Sequence, residues 1–126
     1  MLNGIRVVEF ATYVAAPAAG ALLADYGADV IKVESAQGDP MRQFFASVGR
    51  ADQQNRVFET DNRGKRSIVI DISTDEGSKE LRDLVLSADV FLTNTRPASL
   101  QRAGLDWDTL RKLKPELIYA SFTGYG

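Results

Sequence analysis

Two strand patterns separated by one helix pattern occupy the first 33 residues, and this order constrains the fold more than any other feature. Segments 5–10 and 28–33 are rich in Val and Ile, which is typical of buried strands. Between them, the alanine- and leucine-rich run 15–26 carries Pro17 in its first turn and precedes Gly27, as expected for a helix with a defined start and end. A helix between consecutive strands predicts a βαβ unit with parallel strands and a right-handed crossover.

Strand and helix patterns alternate again after residue 64. Residues with high β-propensity predict three further strands at 67–71, 89–93 and 117–122. Strands that alternate with helices predict an α/β fold, here a Rossmann-like, doubly wound and mainly parallel sheet of about five strands. A chain of 126 residues has the length of one such domain.

Two helices are predicted in the second half of the chain. Ser73 and Glu76 have the spacing of a capping box that opens the first of them. Its buried stripe is predicted to consist of Leu81, Leu84 and Val85. The second helix is predicted to run from Asp106, as its N-cap, to Lys114, where Pro115 stops it.

Residues 35–64 form a long excursion between the second and third predicted strands. The segment is rich in glycine, proline, asparagine and glutamine. Its apolar residues Met41, Phe44, Phe45 and Val48 have helical spacing, so we predict one short helix inside it. A long excursion in a compact domain is typical of a functional loop or a partner contact.

The composition excludes several classes of chemistry. The chain has no cysteine and no histidine, which excludes disulfides, thiolate metal sites, cysteine nucleophiles and histidine bases. A formal net charge of −2 does not favour nucleic-acid binding. No apolar stretch is long enough to cross a membrane, and the opening apolar run contains Arg6 and Glu9, unlike a signal peptide. We therefore expect a cytoplasmic protein with no metal, nucleic-acid or membrane partner.

Residues that follow the predicted strands are the candidates for ligand binding, because open α/β sheets bind ligands at the carboxyl ends of their strands. After the first strand, small residues at 14–17 allow a ligand to approach the helix N-terminus, although helix packing also explains them. After the fourth strand, Arg96 and Arg102 suit phosphate groups, although solvated surface arginines have the same pattern. The basic pair Lys65 and Arg66 is interpreted as a surface or partner contact. Neither a Walker A sequence nor G-x-G-x-x-G follows the first strand.

A series of short motifs runs through the chain in a fixed order. The motifs are GIRVVE at 4–9, AAP at 15–17, the segment 23–34, GDPMR at 38–42, NRGKRSI at 62–68, NTRP at 94–97, GL at 104–105, PELIYA at 115–120 and GYG at 124–126. In this order and spacing they resemble the opening part of the class III CoA-transferases, the group that includes formyl-CoA and carnitine CoA-transferases. The resemblance covers essentially the whole chain, and it is far more specific for the family than for the substrate.

The resemblance implies a binding site for CoA, which is a substrate of these enzymes. The segment Val14, Ala15 and Ala16 would line the acyl and thioester end. The stretch just after Glu34, with Ala36, and the strand residue Ile70 would flank the adenosine. The positions that contact CoA and its phosphates in the family are occupied here by Asn94, Thr95, Arg96 and Arg102.

Two positions depart from the family pattern. Val14 stands about where the formyl-CoA enzyme has a glutamine that lines its active site. Near Ala36 the family often carries an arginine for the nucleotide, and this chain has none there. Phosphate binding is therefore expected to depend more on Arg96 and Arg102, or on Arg42.

The family's nucleophile is an aspartate that lies a short way beyond the glycine turn. It attacks the thioester of the donor acyl-CoA, which releases CoA thiolate and forms a mixed anhydride. The thiolate then attacks the anhydride to give an aspartyl-CoA thioester, and the acceptor acid takes over the CoA. No aspartate of this chain matches that position, so we assign no catalytic residue. The aspartates interpreted as helix-end, strand-end or turn residues are Asp25, Asp29, Asp39 and Asp71.

The resemblance implies a longer protein than this chain. Met1 is interpreted as a true start, whereas the chain stops abruptly at the glycine turn 124–126. We therefore interpret residues 1–126 as an incomplete CoA-binding domain that is inactive alone. The full-length protein is expected to be an interlocked homodimer whose substrates are an acyl-CoA and a small carboxylic acid, with no metal.

Three functions stay open at this point. The first is a CoA-transferase, which the long excursion 35–64 favours. Within that group, segments 15–20, 92–94 and 104–106 resemble the branch that acts on aryl-lactates and other 2-hydroxy acids. The second is a 2-methylacyl-CoA racemase of the same family, and the third is a non-catalytic domain that binds CoA or a partner chain.

Overall fold

The computed structural model describes residues 1–50 and 53–125, which form five strands and six α-helices. The strands are β1 (Arg6–Phe10), β2 (Asp29–Glu34), β3 (Arg66–Val69), β4 (Val90–Thr93) and β5 (Ile118–Ser121). The helices are α1 (Ala15–Asp25), α2 (Phe44–Ser47), α3 (Arg56–Asn62), α4 (Asp75–Leu86), α5 (Pro97–Arg102) and α6 (Trp107–Leu113), and a 3-10 helix at Pro40–Gln43 precedes α2. The strands form one sheet in the order β3-β2-β1-β4-β5, with every neighbouring pair parallel.

Each face of the sheet carries its own apolar core. Val8 and Phe91 belong to a core with Leu81 of α4, and α5 and α6 contribute to the same core. Val7, one residue before Val8, belongs to a second core with Ala16 of α1. Successive residues of a strand point to opposite faces, so helices cover both faces. The predicted α/β, doubly wound and parallel fold is therefore confirmed.

The predicted boundaries of α1 and α6 agree with the structure. Gly27 follows the end of α1 with a φ of 100°, a conformation that glycine adopts at little cost. Asp106 is the N-cap of α6, and its Oδ1 accepts a hydrogen bond from Thr109 N at 3.1 Å. Lys114 is the C-cap of that helix.

The predicted capping box of α4 is wrong. The N-cap is Thr74, whose Oγ1 accepts a hydrogen bond from Gly77 N at 3.0 Å. Ser73 instead donates from both its N and its Oγ to Asp71 Oδ1, so it belongs to the turn before the helix. Of the predicted buried stripe of α4, Leu81 and Val85 are fully buried and Leu84 is partly buried.

The excursion 35–64 contains more helix than the sequence predicts, and its residues 51 and 52 lie outside the described residues. The predicted short helix corresponds to the 3-10 helix and α2, whereas α3 is not predicted. Met41 is buried, but Phe44 and Val48 are 44% and 53% exposed. The helical spacing of these apolar residues therefore does not produce a common buried face.

Four charged side chains form a buried charge cluster between the sheet and α1: Glu9, Lys32, Asp39 and Lys65. Glu9 and Lys32 are direct neighbours across β1 and β2, and their side chains pair at 3.1 Å. Lys32 also pairs with Asp39 at 2.9 Å, and Lys65 pairs with Glu9 at 2.7 Å. Each of the four side chains is at most 2% exposed. Two anions therefore face two cations where water could not solvate either.

The interpretation of Lys65 as a surface or partner residue is wrong. Its ammonium is buried and also donates to Pro17 O and Asp61 O at 2.8 and 2.7 Å. Burial lowers the pKa of Lys65, and the charge of Glu9 opposes that shift. Arg66 does lie at the surface, where it pairs with Asp29 at 2.7 Å.

A second ion pair connects the excursion to the sheet. Arg42 donates from Nε and Nη2 to the two carboxylate oxygens of Glu34, at 2.7 and 2.6 Å. Its guanidinium also stacks 4.1 Å from the centre of the Phe58 ring of α3. These contacts attach the 3-10 helix and α3 to the end of β2.

We expect Gly20→Ala to destabilise the chain. A Cβ at residue 20 would lie 1.9 Å from Glu9 Oε2, and the buried carboxylate is held by two lysines. The free energy of unfolding should fall by about 1–3 kcal/mol, although Gly→Ala inside a helix otherwise stabilises by about 1 kcal/mol. Urea denaturation followed by circular dichroism measures this change. Leu22→Ala, at a 52% exposed position of the same helix, is the control and should change stability by less than about 0.5 kcal/mol. Equal stability of Gly20→Ala and the wild type would contradict the prediction.

We expect the Glu34–Arg42 pair to make stability depend on acid pH. Hydrogen bonds from Arg42 lower the pKa of Glu34 from 4.5 to about 2. The unfolded chain therefore binds a proton at Glu34 more readily than the folded chain does. The stability that the pair contributes is complete above the unfolded pKa of Glu34, and it is lost as pH falls through the folded pKa. Urea midpoints measured across this pH range should decline less steeply in Glu34→Gln and in Arg42→Ala. An unchanged slope in both variants would show that the pair makes no such contribution.

Candidate functional site

The carboxyl ends of β1 and β4 flank the point where the winding of the sheet reverses. The chain passes from β1 to β2 and β3 on one side, and then returns to β4 on the other side of β1. Open α/β sheets bind ligands at such a switch point. A cavity of about 270 Å³ lies there between the loops after β1 and β2, with Thr95 on its wall. A second cavity, of about 400 Å³, is lined by Ala15, the segment 94–97 and the segment 122–124.

The loop after β1, residues 11–14, is called the β1–α1 loop. Its backbone is held from both neighbouring strands. Lys32 Nζ donates to Ala11 O at 3.0 Å. The Asn94 carboxamide accepts from Thr12 N at 3.0 Å and donates to Thr12 O at 2.8 Å. Asp39 Oδ1 accepts from Tyr13 N at 3.2 Å. Consecutive residues of the loop are thus fixed by side chains from β2, its following turn and the end of β4.

Tyr13 has a φ of 66°. It is the one residue other than glycine with positive φ in residues 1–50 and 53–125, and this left-handed conformation costs a residue with a Cβ about 1–2 kcal/mol. Such strain in native proteins is concentrated at functional sites and is maintained by the surrounding structure. Val14 follows as the N-cap position of α1 and makes no side-chain cap.

The structure divides the predicted acyl-end residues into two groups. Val14 and Ala15 are exposed, and Ala15 lines the 400 Å³ cavity. Ala16 is fully buried in the core beneath α1, so its surface is not accessible to a ligand. Both interpretations of the small residues therefore apply. Ala16 packs helix α1 against the sheet, and Ala15 forms part of the cavity wall at the start of the helix.

The three candidate arginines have different surroundings. Arg96 is exposed and lines the 400 Å³ cavity together with Asn94 and Thr95. Arg102 is exposed in a third cavity of about 430 Å³, between the start of α4 and α5, and donates to Ser99 Oγ at 3.2 Å. Arg42 has the bidentate face of its guanidinium occupied by Glu34. Of these three arginines, Arg96 and Arg102 face open cavities.

Ala36 and Ile70 lie after the carboxyl ends of β2 and β3, respectively. Ala36 is exposed. Ile70 is only 2% exposed and belongs to the core of the α4 face, and its backbone N donates to Glu34 O at 2.9 Å. The structure brings these residues to the same sheet edge as Arg96, but only Ala36 offers its side chain to solvent.

Several residues of the site were not singled out from the sequence. Asp39 was interpreted as a turn residue, but its side chain is fully buried and holds the β1–α1 loop. Thr93 Oγ1 donates to Phe10 O at 2.7 Å and connects the ends of β1 and β4. A signal for the buried charges did exist: Glu9 and Lys32 interrupt apolar strands, where a charge is stable only when paired.

The described residues offer two features that can bind a ligand. Exposed arginines beside cavities bind phosphate, and an exposed helix start with small side chains allows close approach of a ligand. Within the described ranges, no cluster of carboxylates is arranged to hold a metal ion. None of the helices described there is long and apolar enough to cross a membrane.

Comparison with known proteins identifies relatives for the whole chain. The sequence pattern of "CoA-transferase family III" matches residues 2–126. The chain is 42% identical over 128 residues to cinnamoyl-CoA:phenyllactate CoA-transferase from Clostridium sporogenes. That match covers 100% of this chain and 31% of the relative. It is 48% identical over 130 residues to succinate–glutarate CoA-transferase from Agrobacterium fabrum. That match covers 99% of this chain and 32% of the relative.

A solved structure agrees with these relatives. A crystal structure described as hypothetical protein Rv3272 from Mycobacterium tuberculosis matches with a TM-score of 0.90 at 40% identity, over 100% of this chain and 34% of that chain. The chain therefore spans about a third of the length of the proteins that it matches. Since the family pattern extends over nearly every residue and the fold agrees, this chain belongs to CoA-transferase family III.

Proposed function

We propose that this chain is the CoA-binding part of an enzyme that moves CoA from an acyl-CoA donor to a carboxylic acid acceptor. The observation that carries the proposal is the series of cavities at the carboxyl edge of the sheet, two of which are lined by the exposed arginines Arg96 and Arg102. CoA is a long ligand with phosphates at its nucleotide end and a thioester at the other. A binding site for CoA therefore needs cations that can reach its separate phosphates. It also needs an uncharged surface that the thioester end can approach closely.

In the proposed binding mode, Arg96 and Arg102 bind the phosphates of CoA. Arg102 is supported by Ser99, and Arg96 lies one residue before Pro97, which opens α5. Thr95 lines both cavities at the switch point and would contact the chain of the ligand between its two ends. The contribution of Asn94 is mainly indirect, because both atoms of its carboxamide already bind Thr12.

The acyl and thioester end is proposed to lie against Val14 and Ala15, with Ala16 packing beneath them. The adenosine is proposed to lie on the side of Ala36 and Ile70. Since Ile70 is buried, it would support this part of the site from below. Arg42 would contribute through Glu34 and the excursion that the pair stabilises.

The chemical step is proposed to use a residue outside this chain. None of Asp25, Asp29, Asp39 and Asp71 is a suitable nucleophile, because three of them are engaged by Arg63, Arg66 and Ser73, and Asp39 is buried against Lys32. An aspartate further along the full-length protein would attack the donor thioester. In an interlocked homodimer, the residues of this chain would hold CoA in place while its acyl partner is exchanged.

The acceptor is proposed to be a small carboxylic acid of the 2-hydroxy type. One of the relatives is by name a phenyllactate transferase, and phenyllactate is a 2-hydroxy acid. The other is named for succinate and glutarate, which agrees with a carboxylic acid but not with the hydroxyl group. Both are transferases, which supports transfer rather than the racemisation that the sequence left open.

We expect Arg96→Ala and Arg102→Ala each to weaken CoA binding by the 126-residue chain. A hydrogen bond between charged groups contributes about 1.5–3 kcal/mol, so each dissociation constant should rise about 10- to 100-fold. Isothermal titration calorimetry with CoA measures this rise. Arg66→Ala is the matched control. Arg66 is also an exposed arginine, but it lies at the amino end of β3, whereas Arg96 and Arg102 follow the carboxyl end of β4.

The outcomes separate the alternatives. An equal loss in all three variants would indicate non-specific attraction and contradict the assigned phosphate sites. If the folded wild-type chain does not bind CoA, a CoA-binding domain that acts alone is excluded. The CoA site would then need the remainder of the full-length protein.

A further inference from the structure

The left-handed conformation of Tyr13 is supported by one buried carboxylate. Asp39 Oδ1 accepts hydrogen bonds from Tyr13 N at 3.2 Å and from Met41 N at 2.9 Å. Its other oxygen lies 2.9 Å from Lys32 Nζ. The side chain is fully buried, so one oxygen is held by two backbone amides and the other is paired with a cation.

Lys32 holds the same loop a second time. Its ammonium donates directly to Ala11 O at 3.0 Å, two residues before Tyr13. A single buried ammonium therefore acts on both ends of a three-residue segment, directly at Ala11 and through Asp39 at Tyr13. Glu9 also pairs with Lys32, at 3.1 Å, which holds the ammonium in place.

We propose that Asp39, anchored by Lys32, is a positioning residue that holds Tyr13 at positive φ and thereby sets the path of the β1–α1 loop. This inference rests on the proposed function, because the loop delivers Val14 and Ala15 to the acyl-CoA site. Asp39 does not touch the ligand in this account. It acts through the Tyr13 peptide, and the left-handed turn directs the chain from the end of β1 into α1.

The first test needs no ligand. In the isotope-labelled 126-residue chain, Tyr13 should show the strong intraresidue HN–Hα nuclear Overhauser effect of a positive φ, and its amide should be protected from hydrogen exchange. In Asp39→Ala, amide protection should fall by about tenfold or more, since one hydrogen bond and the support for a strained φ are lost. An unprotected Tyr13 amide in the wild type, or an unchanged Tyr13 in Asp39→Ala, would overturn the proposal.

The second test uses rescue. Glycine adopts positive φ without support, so Tyr13→Gly should make the loop independent of Asp39. We expect Asp39→Ala to weaken CoA binding about tenfold, and we expect the double variant Tyr13→Gly/Asp39→Ala to bind within about threefold of Tyr13→Gly alone. If Asp39→Ala does not fold, Asp39→Asn replaces it. Asparagine keeps an oxygen that accepts from Tyr13 N, but it loses the ion pair with Lys32. CoA binding should therefore weaken less in Asp39→Asn than in Asp39→Ala, and Tyr13→Gly should again restore it.

Two controls separate positioning from stability and from the proposed function. Ile5→Ala should lower the melting temperature from the amino end of the sheet, opposite the candidate site, and should leave the CoA dissociation constant unchanged. A double variant as weak as Asp39→Ala would mean that Asp39 does not act through Tyr13. If the wild-type chain binds no CoA, the proposed function fails for this chain, while the measurements at Tyr13 still decide the positioning role.

Discussion

The pairing of Glu9 with Lys32 between neighbouring strands is the interaction on which the rest of the structure depends. Both side chains are buried on the α1 face of the sheet, and removing one partner of a buried pair costs about 3–5 kcal/mol. The pair also determines what can pack above it. Gly20 has no room for a side chain because Glu9 occupies that space, and Lys65 closes the cluster from the start of β3. Strand pairing, the position of α1 and the return of the excursion are therefore connected through one set of charges.

The same cluster reaches the edge of the sheet that carries the candidate site. Lys32 forms an ion pair with Asp39 and donates a hydrogen bond to Ala11 O. Asn94 binds the backbone of Thr12 from the other side of the switch point. The β1–α1 loop thus takes its shape from neighbouring strands and not from helix α1, whose first position has no side-chain cap. Arg96 and Arg102 lie on the next connection, which begins directly after Asn94. One sheet edge therefore combines a rigid uncharged wall with exposed cations.

The sequence predicts the sheet well because each strand and helix has its own local periodicity. It misses the short helices α3 and α5, since six or seven residues carry little periodic signal. The equally short α6 is predicted from its end signals, Asp106 and Pro115. Thr74 and Ser73 are chemically similar caps, and only the turn geometry distinguishes them. The burial of Lys65 and the bidentate partner of Arg42 depend on residues far away or across a turn, which no local pattern reveals. The family resemblance predicts a set of CoA-binding residues, but it does not separate exposed members of that set such as Arg96 from buried members such as Ile70.

The contacts that hold the β1–α1 loop are made to its backbone atoms at Ala11, Thr12 and Tyr13. The shape of the loop is therefore largely independent of which side chains it carries. A side chain of the loop, such as that of Val14, can therefore be replaced while the contacts that shape the turn stay the same. The side chains that determine the turn belong to residues beside and beneath the loop, namely Lys32, Asp39 and Asn94. A substitution on the loop would change the side chain that the turn presents, whereas a substitution beneath the loop would change the turn itself.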